Sequence, residues 1–239
     1  MPPVSSFAEY SFLALVAIVA TLFIYALRRA GGSVLYGGFL VFAWLFISAM
    51  ISLSGVLAKF NHVPPPFLIF VALFTVLTTL VAISRIGTRL IKGVGIRGLI
   101  GYQAFRFPLE LLLHRLYSEG VSPVQMTYTG RNFDIVTGIL AFLIGFWPWP
   151  SQPPRWIIWA FNLSGLALLI NIVTIAILST PTPMRRFFNE PANTFVVYMP
   201  FVWLPAFLVQ AAWFGHLLVF RWLRQSRDHK IQLSAVNTI

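Results

Sequence analysis

The chain has 239 residues, 17 Lys+Arg against 6 Asp+Glu, a net charge of +11, no cysteine and a mean hydropathy of +0.82. With 10% charged and 58% hydrophobic residues it lacks the polar side chains to coat a water-soluble globule. That excludes an ordinary cytosolic enzyme, a disordered tail and a disulfide scaffold, and the missing cysteine excludes thiolate metal sites and a thiol nucleophile.

A helix needs about 20 apolar residues to cross a hydrocarbon core roughly 30 Å thick. Six stretches between consecutive charged residues meet that length: Glu9 to Arg28, Arg29 to Lys59, Lys59 to Arg85, Asp134 to Arg155, Arg155 to Arg185, and Glu190 to Arg221. None alternates strictly between polar and apolar residues, as a membrane β-barrel requires. In lipid the backbone must satisfy its own hydrogen bonds, so these stretches are expected to be helices.

The first span is expected over 10–27, retained as an anchor because Met1 to Ser6 lack a signal-peptide pattern. It ends at Arg28-Arg29-Ala30-Gly31-Gly32, two cations followed by glycines, as helix C-termini prefer. A second span over 33–57 and a third over 66–84 are separated by Pro64-Pro65-Pro66. Later spans are expected over 133–149, 156–178 and 193–222, with a tight hairpin at Trp147-Pro148-Trp149-Pro150. Pro200 and Pro205 should kink or split the last of these. The tryptophans of the hairpin suit the headgroup level. Residues 223–239 form a basic cytoplasmic tail, and 1–239 form a single integral membrane domain with no internal repeat.

The segment over 99–118 is long enough to span and yet carries charge. At 100° per residue Gln103, Arg106, Glu110, His114 and Tyr117 share one arc, with Phe105, Leu109, Leu112 and Leu116 opposite. Two readings follow: an interfacial helix with its stripe in water, or a spanning helix whose stripe faces the bundle interior. Charge counting favours the second. With seven spans the cytoplasmic side holds 11 Lys and Arg against 4 outside, and with six spans the count falls to 11 against 6. The expected fold is therefore all-α, a polytopic transmembrane bundle of seven helices, with six spans plus one interfacial helix as the alternative.

The stretch Gln103-Ala104-Phe105-Arg106-Phe107-Pro108-Leu109-Glu110, followed by His114, Glu119-Gly120, Pro123, Gln125-Met126-Thr127 and Gly130-Arg131-Asn132-Phe133-Asp134, resembles the core of a group of uncharacterised bacterial multi-pass membrane proteins. Asn189-Glu190-Pro191, Pro200 to Pro205 and His216 are similar to that group's last span. The resemblance implies a bacterial membrane and a single domain, and it carries no activity.

The residues suggest a polar intramembrane cavity that binds or passes a small or lipid-like anionic ligand, with Arg106 as anchor. Gln103, Glu110 and His114 complete the stripe, and Glu119, Gln125, Arg131 and Asp134 form its mouth. Asn132 suits the N-cap of the next span. Rival readings are a membrane enzyme using Glu110 and His114 as an acid–base pair, and an accessory subunit of a larger membrane complex. His114 and His216 lie on different helices but at different depths, so no metal or other cofactor is expected. The partners are membrane lipids, and nucleic acid is not expected because the cations flank hydrophobic spans. The N-terminus is expected outside a bacterial inner membrane and the C-terminus in the cytoplasm.

Overall fold

A computed structural model describes residues 3–236, with side chains as far as residue 225. The predicted tail therefore has its backbone described to Val236. Its side chains from 226 onward, Arg227, His229 and Lys230 among them, lie outside the described residues.

The protein is an all-α bundle. Its helices are α1 (Ser6–Arg29), α2 (Val34–Leu53), α3 (Pro66–Ile83), α4 (Arg85–Gly101), α5 (Arg106–Ser118), α6 (Ile135–Phe146), α7 (Arg155–Leu178) and α8 (Val209–Val236). A tight turn of helix over Tyr102–Phe105 joins α4 to α5 without a break, so the helices make seven rods. Among the described residues there is no strand.

Five helical stretches are long and apolar enough to cross a membrane: α1, α2, α3, α7 and Leu204–Gln225. The outer wall is correspondingly greasy, with Phe7, Leu35, Phe39, Phe42, Leu73 and Phe146 exposed. In water such a surface would aggregate; in lipid it costs nothing. The chain is a membrane protein.

Several boundaries differ from the sequence expectation. The second helix stops at Leu53, because Gly55 takes a left-handed conformation at φ 72°. The last span begins only near Leu204, as a π-helical turn over Leu204–Leu208 containing Pro205, and 179–203 is mostly loop. Pro205 donates no N–H, which accounts for the split. Within α4, Gly95 at φ 73° bends the rod between its basic first half and its apolar second half.

Close approach of backbones sets the inner packing. Gly145 of α6 lies directly on Gly101, and Gly138 lies on the backbone of Phe107, leaving no room for a Cβ at either. This contact presses α6 against the junction of α4 and α5.

The cations collect at one end of the bundle. Arg221 donates to the carbonyls of Ala82 and Ser84 and to Thr88 Oγ1, Arg97 to Trp147 O at 2.8 Å, and Arg155 to Leu223 O at 3.0 Å. Gly93 packs on Ala30 at the close of α1. Arg28, Arg29, Arg85, Arg89, Lys92 and Arg224 belong to the same end. The opposite end carries Glu119, Arg131, Arg185 and Glu190.

Candidate functional site

The polar stripe of α5 turns inward. Gln103 is 0% exposed, and Arg106 and Glu110 are each 1% exposed. A buried guanidinium requires partners for its five N–H groups, and the fold supplies all of them from four other residues. Nε donates to Asp134 Oδ2 at 2.6 Å, and Nη2 donates to Asp134 Oδ1 and to Gly165 O at 3.2 Å. Nη1 donates to Gln103 Oε1 at 3.4 Å and to His216 Nε2 at 2.9 Å. The carboxylate contact is the bidentate fork in which Arg binds most strongly.

The carboxylate nearest in sequence is not the partner. Glu110, one helical turn along from Arg106, accepts at Oε2 from Asn132 Nδ2 at 2.6 Å instead. Asp134 precedes the first residue of α6, a position that favours a negative charge. Asn132 is not the N-cap residue. Its Oδ1 accepts from Asp134 N at 3.1 Å, and its Nδ2 also reaches Met126 O at 3.1 Å. Asn132 thus links the Glu110 carboxyl to the backbone of Asp134, one at each end of its amide.

His216 enters from α8, level with Arg106. Its Nε2 accepts from Arg106, so Nδ1 carries the proton and donates to Asn162 Oδ1 at 2.9 Å. Asn162 Nδ2 returns a bond to His216 O at 3.2 Å. The imidazole is thus neutral in this arrangement, with both nitrogens used. His114 is eight residues beyond Arg106 on the same rod, about 12 Å away at 1.5 Å per residue. It is half-buried, its ring tilted against Tyr128 with centroids 4.6 Å apart and its Nδ1 3.4 Å from Thr129 Oγ1. Neither Glu110 nor His114 bonds to the other.

The remaining predicted positions do not join this network. Glu119 accepts from Ser5 N at 2.9 Å, Ser5 Oγ at 2.5 Å and Arg115 Nε at 2.7 Å, tying the start of α1 to the end of α5. Partial burial opposes ionisation of Glu119, but the Ser5 hydrogen bonds and then the Arg115 guanidinium outweigh it and hold its pKa below the usual value. Gln125 is buried and donates to Ser179 Oγ at 2.9 Å. Arg131 is exposed, its guanidinium 5.3 Å from the ring centre of Phe187. Among the described residues no group of three or more His, Cys, Asp or Glu is placed to hold a metal ion.

Asn162, Gly165 and His216 were not legible as members of the site. The available signal was a mid-span Asn and a mid-span His, both of which demand a partner in lipid. Gly165 shows how tight the fit is: a Cβ there would stand 2.7 Å from His216 Cε1 and 2.8 Å from Thr137 Cγ2.

Two lateral grooves open on the bundle wall, and Arg106 lines neither. One, of about 370 Å³, runs between α1 and α5 past Phe7, Ala14, Ile18, Pro108 and Leu111 to Arg115. The other, of about 140 Å³, lies between α3, α7 and α8.

Residues 63–224 match the family model described as Domain of unknown function (DUF8737), and the chain belongs to that family. The match contains the whole Arg106 network and begins after α2. No curated protein and no solved structure matches the chain.

Proposed function

We propose that this DUF8737 protein binds a lipid-like anionic ligand taken laterally from the bilayer, in the groove between α1 and α5. The observation that carries the reading is the combination of that groove, about 370 Å³ and walled by apolar side chains, with a guanidinium at its end. The volume is within the range of small-molecule sites, roughly 300–1,000 Å³. Arg115 commits only its Nε, to Glu119; among the described residues its Nη nitrogens have no protein partner. Glu119 is itself compensated by Ser5 and the positive end of α1. A headgroup acid at Arg115 with its chain along Ile18 and Leu111 satisfies both halves of the groove.

The Arg106 network supports this reading as scaffold. Its guanidinium is saturated by protein, so it holds α5 against α6, α7 and α8 while the opposite edge of α5 faces the groove. The membrane is a bacterial inner membrane, with the cation-rich end of the bundle and the C-terminus in the cytoplasm. The groove's charged end then opens near the outer leaflet.

The test is lipid retention by the purified chain from nanodiscs of mixed phosphatidylcholine and phosphatidylglycerol, read by native mass spectrometry. Retained lipid should be enriched in phosphatidylglycerol. Arg115→Gln should erase the enrichment, and Ala14→Trp should reduce retention of both lipids. Retention that mirrors bulk composition in the parent protein would overturn the proposal.

A further inference from the structure

Gln210, one of the residues lining the second groove, carries a buried polar atom that no protein group engages among the described residues. Thr75, Val71, Val173 and Trp213 line the same groove. Gln210 is 3% exposed. Its amide orientation is determined by what it bonds: Nε2 donates to Pro205 O at 3.0 Å and to Thr75 Oγ1 at 3.3 Å. Pro205 O can only accept, so the nitrogen belongs on that side and the oxygen on the other. Among the described residues that oxygen, Gln210 Oε1, has no partner. A buried amide oxygen left unpaired is destabilising, because it has given up water and gained nothing in return.

The lining groups that could donate are already committed. Trp213 Nε1 donates to Thr79 Oγ1 at 2.9 Å, Thr75 Oγ1 to Val71 O at 2.9 Å, and Thr174 Oγ1 to Ile170 O at 2.8 Å. Among the described residues no charged one lines the groove. Thr75 lies midway along α3, an apolar membrane-crossing helix, so the opening faces the lipid chains rather than the headgroups.

We propose that this groove is a binding site for a neutral, slender, lipid-like alcohol, its hydroxyl donating to Gln210 Oε1. The chemistry follows from the groups present. A donor is needed, because the free atom is an acceptor. A charge is excluded, because nothing there compensates it at a depth where an ion is costly. A slender body is needed, because about 140 Å³ holds on the order of five groups the size of a water molecule, the rest of the chain lying in the bilayer. The site is separate from the α1–α5 groove and does not depend on it.

The experiment uses the full chain in nanodiscs, a long-chain fatty alcohol with a diazirine close to the hydroxyl, and its methyl ether as the matched probe without a donor. After photolysis, peptides of α3, α7 and α8 that border the groove should be labelled by the alcohol roughly fivefold more than by the ether, the size of one net neutral hydrogen bond. Gln210→Leu should abolish that preference, and Arg115→Gln should leave it intact. Equal labelling by the two probes in the parent protein would overturn the site without recourse to any variant. So would a preference that survives Gln210→Leu.

Discussion

Arg106 and Asp134, 28 residues apart in the chain, form a two-point ion pair in which both carboxylate oxygens are used and Nε reaches Oδ2 at 2.6 Å. The pair joins the first residue of α5 to the residue before α6, and both side chains are almost fully buried. A local pair one turn along the same helix would stabilise that helix alone. This one fixes how two helices cross, and His216 and Gly165 extend the constraint to α8 and α7.

Removing one half of the pair should be costly. Arg106→Met leaves Asp134 buried without its cation, and loss of about 3–5 kcal/mol is expected. Arg106→Met with Asp134→Leu should recover most of it, whereas Arg106→Met with Glu110→Leu should not. Thermal unfolding of the variants in mild detergent distinguishes these. Rescue by the Glu110 change and not by the Asp134 change would contradict the assignment.

Gly165→Ala tests the same junction from α7. The added methyl would fall 2.7 Å from His216 Cε1, so the imidazole must retreat from Arg106 or the helices must part. Overpacking of this kind costs about 1–3 kcal/mol. His216→Ala on the Gly165→Ala background makes room, so the second change should cost less there than in the parent protein. Additive losses would mean that Gly165 does not act through His216.

The clasp at the start of α1 should respond to acid. The hydrogen bonds from Ser5 and Arg115 hold the Glu119 carboxyl below its usual 4.5. The clasp therefore contributes fully above that value and is lost as pH falls through the lower, folded one. Amide exchange in the first turn of α1 should accelerate in that acid window, and Glu119→Gln should show the fast rate already at neutral pH. The stability change is small, about 0–1 kcal/mol, because Arg115 is half exposed.

Orientation can be checked with single cysteines, since the chain has none. Ser5 is engaged with Glu119, so Ser6→Cys is the better outer reporter, paired with Ser234→Cys. With seven rods crossing, impermeant maleimide should reach Ser6→Cys from outside intact cells and Ser234→Cys only after permeabilisation. Labelling of both from one side would require an even number of crossings.

Composition and spacing alone determined that this chain is a helical membrane protein, where its apolar stretches lie, and that Gln103, Arg106 and Glu110 share one face. These are local properties: hydropathy over a span and a period of 3.6 residues need no knowledge of neighbours. Tertiary structure alone decided what that face meets. Glu110 was the nearest carboxylate in sequence, but Asp134 became the partner because the contacts of Gly145 with Gly101 and Gly138 with Phe107 bring the start of α6 onto the start of α5. His216 was legible only as lying at a different depth from His114, and the packing of α8 in the bundle set it level with Arg106. The depth at which two helices cross depends on where small residues let their backbones approach and where each rod bends. Neither is a property of one helix read by itself.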